Sequence, residues 1–470
     1  MPASLGELID DPALRADAGA EAMVAASLAR IAAVEPALNA FISVRGDLAL
    51  AEAREIDARR ARGDDLGPLA GLPVAVKDNI DVTGTPATAG SLIRADYIPE
   101  ADAEVVRRLR GAGAVVVGKT ALHELAYGVT SINHHYGPVR NPWDTSRIPG
   151  GSSGGSGAAL GADACLLALG TDTGGSVRIP AALNGVTGLR PTHGSVSSRG
   201  SLPVSASLDT IGPMARSARD VAALHAVISA FDPADAWAVD GPIRNPLSKL
   251  DAGIEGVRIA RLGGFFAERV DPAVDRAVGD AADVLGRLGA ELVELELPGG
   301  AKATANAGEL IRAEALSIHL DDLNATPDSF GPDVRERLEL GREVSGVDVA
   351  RALAEMRAWR ALLLRQFGNV DLLLTPTTIE AAPEIAGSNM LETTARLTRF
   401  TYPWSLAGLP AISVPCGHDA AGLPVGMQLI AAPWRDDTLL TAAVAYQGGT
   451  DWHTRRPELN VKSEHGGANA

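Results

Sequence analysis

Residues 148–160 read "IPGGSSGGSGAAL", and eight of these thirteen positions are glycine or serine. After an apolar run the pattern returns at 169–181 as "LGTDTGGSVRIPA". Each loop runs into helix-like sequence. Two readings are open: a flexible linker, or a pair of backbone cradles around a reactive serine.

Outward from these loops the chain alternates between helix and strand patterns. "LPVAVKD" (72–78) is a short valine-rich strand, and "DAEVVRRLRGAGAVVVGK" (102–119) reads as helix, glycine stop, strand. The alternation recurs at "GVRIARLGG", "DPAVDRAVGDAADVLGRLGA" and "ELVELELP" (256–298), which predicts an α/β fold with helices on the faces of a sheet. Two helices are expected near the start, over about 21–35 and ending at Gly63. Residues 301–365 read as mostly helical, "VDLLLTPTT" and "GLPAISVPCG" as buried strands, and "AGLPVGMQLIAAP" as part of a hairpin.

The 470 residues carry 46% hydrophobic and 21% charged side chains, an ordinary globular composition. A net charge of −16 argues against a nucleic-acid partner, which a basic face would favour. Cys165 and Cys416 sit in apolar surroundings, which disfavours a disulfide framework or a cysteine metal site. The opening "MPASLGELIDDPALRADAG" lacks the pattern of a secretion signal, and no eighteen-residue apolar run is present. The expectation is a cytoplasmic protein without a membrane partner.

Two short motifs mislead. "GAVVVGKT" (113–120) fits the letters of a phosphate-binding loop, but its four central residues are apolar and β-prone, so they form a strand rather than a cradle. "GSSGG" (151–155) fits a nucleophile elbow with Ser153 as nucleophile, which would make the chain an α/β-hydrolase esterase. The elbow wants a strand before it, and "RNPWDTSRIPGG" is a proline-broken loop; His418 and His453 lack a supporting context as its base. His123, His134, His135 and His193 show no metal-ligand spacing, so no metal is expected.

Without a histidine, a serine needs another base, and a buried lysine can serve once desolvation lowers its pKa. Lys77 ends an apolar strand, although a lone lysine in that place more often snorkels to solvent. In the second loop the N–H groups of Thr173, Gly174, Gly175 and Ser176 precede a helix start and can form an oxyanion hole.

Taken together, "GLPVAVKDNIDVTG", "GGSSGGSGAAL", "GTDTGGSVRIPAALNGVTGLRPTHG", "SLDTIGPMARSARD", "SLAGLPAISVPCG" and "GLPVGMQLI" resemble the amidase signature family, from about residue 20 to 455. The resemblance implies a single large α/β/α domain with a central mixed sheet. Its parts are N-terminal helices (1–65), a signature core (66–235), a mixed or helical insertion (236–365), C-terminal strands and pocket (366–457) and a frayed tail (458–470). It implies a Ser-Ser-Lys triad: Ser176 as nucleophile, Ser152 on a cis peptide bond as proton relay, and Lys77 as neutral base. Gly151, Ser153, Thr171, Asp172 and Arg178 are implied as supporting or substrate-binding positions, with no cofactor.

For the substrate, residues 122–135, the helical insert and 379–404 are expected to line the pocket. The last segment holds Phe400, Tyr402 and Trp404. Read as pocket residues rather than core, they suggest a small aryl or apolar amide, or a carbamate (urethane), as in the arylacetamide hydrolases, aryl acylamidases and urethane-cleaving members that the motifs resemble. The alternative is the glutaminase subunit of a tRNA-dependent amidotransferase. That reading is disfavoured because "LTRFTYPWSLAGLP" lacks the acid usually found there in such subunits. A silent partner-binding subunit is a further alternative, against which the intact triad argues. The expected partners are a small-molecule amide or carbamate and a second copy of the chain, homodimers being common in the family.

Overall fold

The computed structural model describes residues 17–459. The secretion-signal reading and nearly all of the expected tail lie outside that range. The first helix spans Ala20–Leu38 and the second Gly46–Arg62, where Gly63 takes a left-handed conformation and ends it. Between them β1 covers Phe41–Val44. The remaining strands are β2 (Pro73–Lys77), β3 (Val115–Thr120), β4 (Ile132–Asn133), β5 (Gly137–Pro138), β6 (Leu167–Asp172), β7 (Thr187–Arg190), β8 (Thr210–Ala215), β9 (Arg258–Leu262), β10 (Glu291–Leu295), β11 (Leu372–Pro376), β12 (Ala411–His418) and β13 (Pro424–Ala431).

Eleven strands form one sheet in the order β1-β3-β2-β6-β8-β7-β12-β13-β11-β9-β10, and β4 and β5 make a separate ribbon. The sheet is mixed. β2 runs parallel to β3 and β6, and β9 parallel to β10 and β11, while β6, β8, β7, β12, β13 and β11 pair antiparallel in succession. Helices cover both faces, because the central strands are apolar on both sides and need cover on each. β12 and β13 form the expected hairpin.

"GAVVVGKT" is strand β3 with all six of its residues buried, and Lys119 faces Asp78 at 3.2 Å instead of reaching for a ligand. No strand precedes Ser153. The chain before it is loop, and a helix runs from Gly154 to Gly161 with Ser153 at its start. The His418 ring packs between Trp143 and Trp452, at 4.9 and 5.5 Å. Cys165 and Cys416 are buried and free. Among the described residues no helix is long and apolar enough to cross a membrane.

The helices of the predicted insert, Gly300–Ala325, Pro332–Gly341 and Gly346–Gln366, share one apolar cluster with β9, β11 and Trp404. The insert is thereby packed against β9 and β11.

Candidate active site

Strand β2 delivers Lys77 at its last position, fully buried. Its Nζ lies 2.7 Å from Ser152 Oγ and 2.7 Å from Thr171 Oγ1. Ser152 follows the cis peptide bond Gly151–Ser152. Burial pulls the Lys77 pKa down from 10.5 to about 7, against the opposing charges of Asp209 and Asp172. The local charge count agrees. Arg178 and Arg190 balance Asp172 and Asp209, so a charged Lys77 would add an uncompensated buried cation, which is strongly unfavourable.

The two loops of the opening stretch meet here. Ser153 N–H donates to the Ser176 carbonyl at 3.2 Å, and Ser153 Oγ sits 3.3 Å from both the Thr171 N–H and the Thr171 carbonyl. The linker reading therefore fails: both loops are rigidly laced, and Ser152 and Ser153 are fully buried. Ser176 is 4% exposed and opens onto a cavity.

Asp172 ends β6 and organises the second loop. Its carboxylate bonds Arg178 Nη2 and Nε at 3.0 Å and Arg190 Nη1 at 3.1 Å. Burial alone would raise its pKa; the two guanidiniums overcome that and hold it well below the usual carboxylate range. The same carboxylate accepts the N–H groups of Gly175 (2.8 Å) and Val177 (3.2 Å). The expected four-donor oxyanion hole is thus narrowed, since the Gly175 N–H already has an acceptor. The N–H groups of Thr173, Gly174 and Ser176 have no protein acceptor among the described residues. Glycine is required at two of these positions. A Cβ on Gly174 would run into the Tyr402 ring, and Gly175 has φ +125° with Thr401 Oγ1 occupying the place of its Cβ. Arg178 also reaches the Thr401 carbonyl, Gln428 and Ser405, which ties the loop to the C-terminal strands.

A narrow neck of about 30 Å³ touches Thr173, Gly174, Ser176, Tyr127, Arg337 and Tyr402. It shares walls with a wider cavity of about 460 Å³ lined by Thr304, Gly308, Arg312, Leu391 and Thr398, among others. All three segments expected around the pocket contribute. The aromatic reading is corrected: Phe400 and Trp404 are fully buried, and Trp404 stacks on Phe266 at 4.9 Å and 19°. Only Tyr402 of that trio reaches the cavity, from the first position of a short helix, Tyr402–Leu406.

Sequence reading missed Arg337, the buried cation of this cavity. Its Nη2 bonds the Met390 carbonyl (2.9 Å) and Thr394 Oγ1 (2.8 Å), and its Nε stands 3.7 Å from Asp333. Asp333 in turn pairs with His123 at 2.8 Å, and Glu124 accepts the Gly331 N–H at 2.7 Å. Two acids, one from each wall, thus clamp the 123–129 loop to the helix that carries Arg337. No local sequence signal marks these contacts, which span about 200 residues.

Fold and site together are those of an α/β protein with Lys77 buried against Ser152 beside a cavity that Ser176 lines. A family profile described as Amidase matches residues 22–440, and the chain belongs to this amidase signature family. Over 459 residues it is 42% identical to a Glutamyl-tRNA(Gln) amidotransferase subunit of Chloroflexus aggregans, covering 92% of this chain and 94% of that one. The solved structure of the corresponding subunit from Thermotoga maritima is 34% identical, with a TM-score of 0.82 and 98% of both chains covered. A chain from a vestigial protein complex that bears on the evolutionary origins of an s-triazine catabolic enzyme is 39% identical, with a TM-score of 0.89 and 95% and 98% covered.

These relatives correct two expectations. The small aryl amide or carbamate reading gives way to the amidotransferase-subunit reading, and the exclusion of a nucleic-acid partner gives way with it. The physical reasons are visible. Two of the three aromatics behind the first reading, Phe400 and Trp404, are core residues, and net charge describes a whole surface rather than what an assembly contacts. The chain is a hydrolase acting on the carbon–nitrogen bonds of amides.

Proposed function

We propose that this chain is the glutaminase-type subunit of a tRNA-dependent amidotransferase, releasing ammonia from glutamine through an acyl-enzyme on Ser176. The observation that carries the chemistry is Lys77, buried and hydrogen-bonded to Ser152 at 2.7 Å with a pKa near 7. The observation that supports the substrate is Arg337, a guanidinium lining both neck and cavity, where a substrate carboxylate can pair with it.

Ser176 Oγ attacks the carboxamide carbon. Its proton passes to Ser152, whose own proton passes to Lys77 Nζ. Negative charge develops on the carbonyl oxygen, and the N–H groups of Thr173, Gly174 and Ser176 receive it. The Lys77 proton then returns through Ser152 to the departing nitrogen, which leaves as ammonia. Water attacks the acyl-enzyme with the same Lys77–Ser152 pair as base, giving glutamate and free Ser176. Thr171 and Asp172 hold Lys77 and the loop in place, and Gly151, Ser153 and Arg178 support them. The −16 chain works beside partner subunits that engage the aminoacyl-tRNA.

The test is release of glutamate and ammonia from glutamine by the wild type and by Ser176→Ala, together with conversion of glutamyl-tRNA(Gln) when the chain is co-expressed with the other subunits of such an enzyme. Arg337→Met should raise KM for glutamine about tenfold or more, the worth of a charged hydrogen bond. Glutamine left intact under both conditions by an otherwise reactive Ser176 sinks the reading.

A further inference from the structure

The second loop carries the nucleophile and the free N–H groups, so its position relative to the pocket sets the geometry of attack. Three ties hold it. Asp172 is clamped by Arg178 and Arg190, the Gly174 carbonyl accepts Thr401 Oγ1, and Thr173 Oγ1 donates to Asp209. The second tie reaches the wall at Thr401, next to Tyr402, and the third reaches it on another side. Asp209 Oδ2 also accepts the N–H groups of Val204 (2.8 Å) and Ser205 (3.1 Å). Val204 lines the neck beside Thr173. Ser205 and Ser207 then donate their hydroxyls to Glu314 at 2.7 and 2.6 Å, and the Ser207 N–H adds a bond at 3.2 Å. Glu314 stands on the Gly300–Ala325 helix, which supplies Ile311 to the neck and Arg312 to the cavity.

We infer that Asp209 is a positioning residue for the hydrolysis: one carboxylate joins the oxyanion loop, through Thr173, to the pocket wall, through Val204 and Ser205. The inference rests on the proposed reaction at Ser176. Asp209 touches neither substrate nor nucleophile and acts through Thr173. An asparagine replaces it imperfectly: with Oδ1 kept toward the two N–H donors, its NH₂ group would face Thr173 Oγ1, which would have to turn from donor to acceptor, and the charge-assisted bond to the loop would be lost.

The same carboxylate has an electrostatic role. The charged groups around it and Lys77 are Asp172, Arg178 and Arg190, with Glu314 beyond the serines. Burial pushes the Asp209 pKa up to about 6, against its donors and Arg190, so it is ionised where Lys77 titrates. Asp209 and Asp172 both favour the protonated lysine. Removing the Asp209 charge therefore makes Lys77 easier to deprotonate.

The experiment compares wild type, Asp209→Asn and Thr173→Val in the full chain. It measures kcat and KM for glutamine from about pH 5 to about pH 9, and the rate of Ser176 sulfonylation by phenylmethanesulfonyl fluoride. Misplacement of the loop should lower kcat about ten- to a hundredfold in both variants with KM unchanged, and slow sulfonylation in step. The acid limb of kcat/KM should move to lower pH in Asp209→Asn and stay in place in Thr173→Val, a split that a merely structural role does not produce. Unchanged kcat and labelling, a loss confined to KM, or an acid limb that stays put in Asp209→Asn overturns the inference. If Asp209→Asn does not fold, Thr173→Val decides through kcat and labelling. If the wild type labels normally but leaves glutamine intact, the substrate reading has failed, and the labelling rates still decide this one.

Discussion

Replacing Lys77 by methionine should abolish turnover and stabilise the fold. A lysine with an unfolded pKa of 10.5 and a folded pKa of about 7 binds more protons unfolded than folded throughout that window. Stability therefore rises with pH across it, and the lysine is a burden below it. At about 1.4 kcal/mol per unit, the burden is roughly 4 kcal/mol at pH 7, where the folded group is half protonated, and roughly 2 kcal/mol at pH 9. Methionine removes the burden but leaves the Ser152 and Thr171 hydroxyls without Nζ, a loss of about 1–3 kcal/mol that does not depend on pH. The variant should be more stable than the wild type by about 2 kcal/mol at pH 7, and about equal to it at pH 9. Chemical denaturation of both proteins at the two pH values measures this. A stability gap that does not change with pH would mean that Lys77 keeps its proton in the folded protein, and its role as a neutral base would fall with it.

Other outcomes follow from the same geometry. Catalytic efficiency should climb with pH through about 7 as Lys77 loses its proton, read from kcat/KM for glutamine. Ser176→Ala should remove at least about a thousandfold of kcat and abolish the sulfonyl adduct seen by mass spectrometry. Trp404→Ala should destabilise by about 3–5 kcal/mol through the cavity left against Phe266, without altering KM at a temperature where the variant stays folded, since the ring does not reach the substrate. Gly175→Ala should lower both thermal stability and kcat, because its Cβ meets Thr401 and its φ of +125° suits only glycine.

The α/β alternation was readable because β2 and β3 carry short valine-rich runs near glycine or proline, while β9 (RIARL) and β10 (ELVEL) set apolar residues between charged ones on either side of a helix pattern. Lys77 and Ser152, which meet at 2.7 Å, and Ser176, which lines the cavity, could be singled out because a strand end and two small-residue loops leave a local signature. Asp172 was legible as a neighbour of the site but not as the acceptor that takes the Gly175 N–H, since that depends on side-chain orientation after the turn. Arg337 was silent because its side chain is oriented by residues more than fifty positions away, and Asp209 because its tie to the second loop, through Thr173, spans 36 residues. The aromatic trio misled for a related reason. Composition gives no face to a segment, and two residues, about half a helical turn, separate the buried Trp404 from the pocket-lining Tyr402. The missing acid near residue 398 pointed away from the amidotransferase subunits, whereas identity spread over the whole chain points toward them.

Lys77, Ser152 and Ser176, on which the proposed reaction runs, all lie between residues 77 and 176, while Arg312, Arg337, Leu391 and Thr398 of the outer cavity come from 304–402, with Tyr127 added from the first stretch. The proposed chemistry and most of the outer wall are therefore written on separate stretches of one gene that meet at Tyr127. Substitutions in 304–402 can reshape the outer wall while leaving Lys77, Ser152 and Ser176 in place, so one hydrolytic centre can serve different substrates. One scaffold shared by part of a tRNA-dependent amidotransferase and by a protein tied to the origins of an s-triazine catabolic enzyme is what such a division of labour allows.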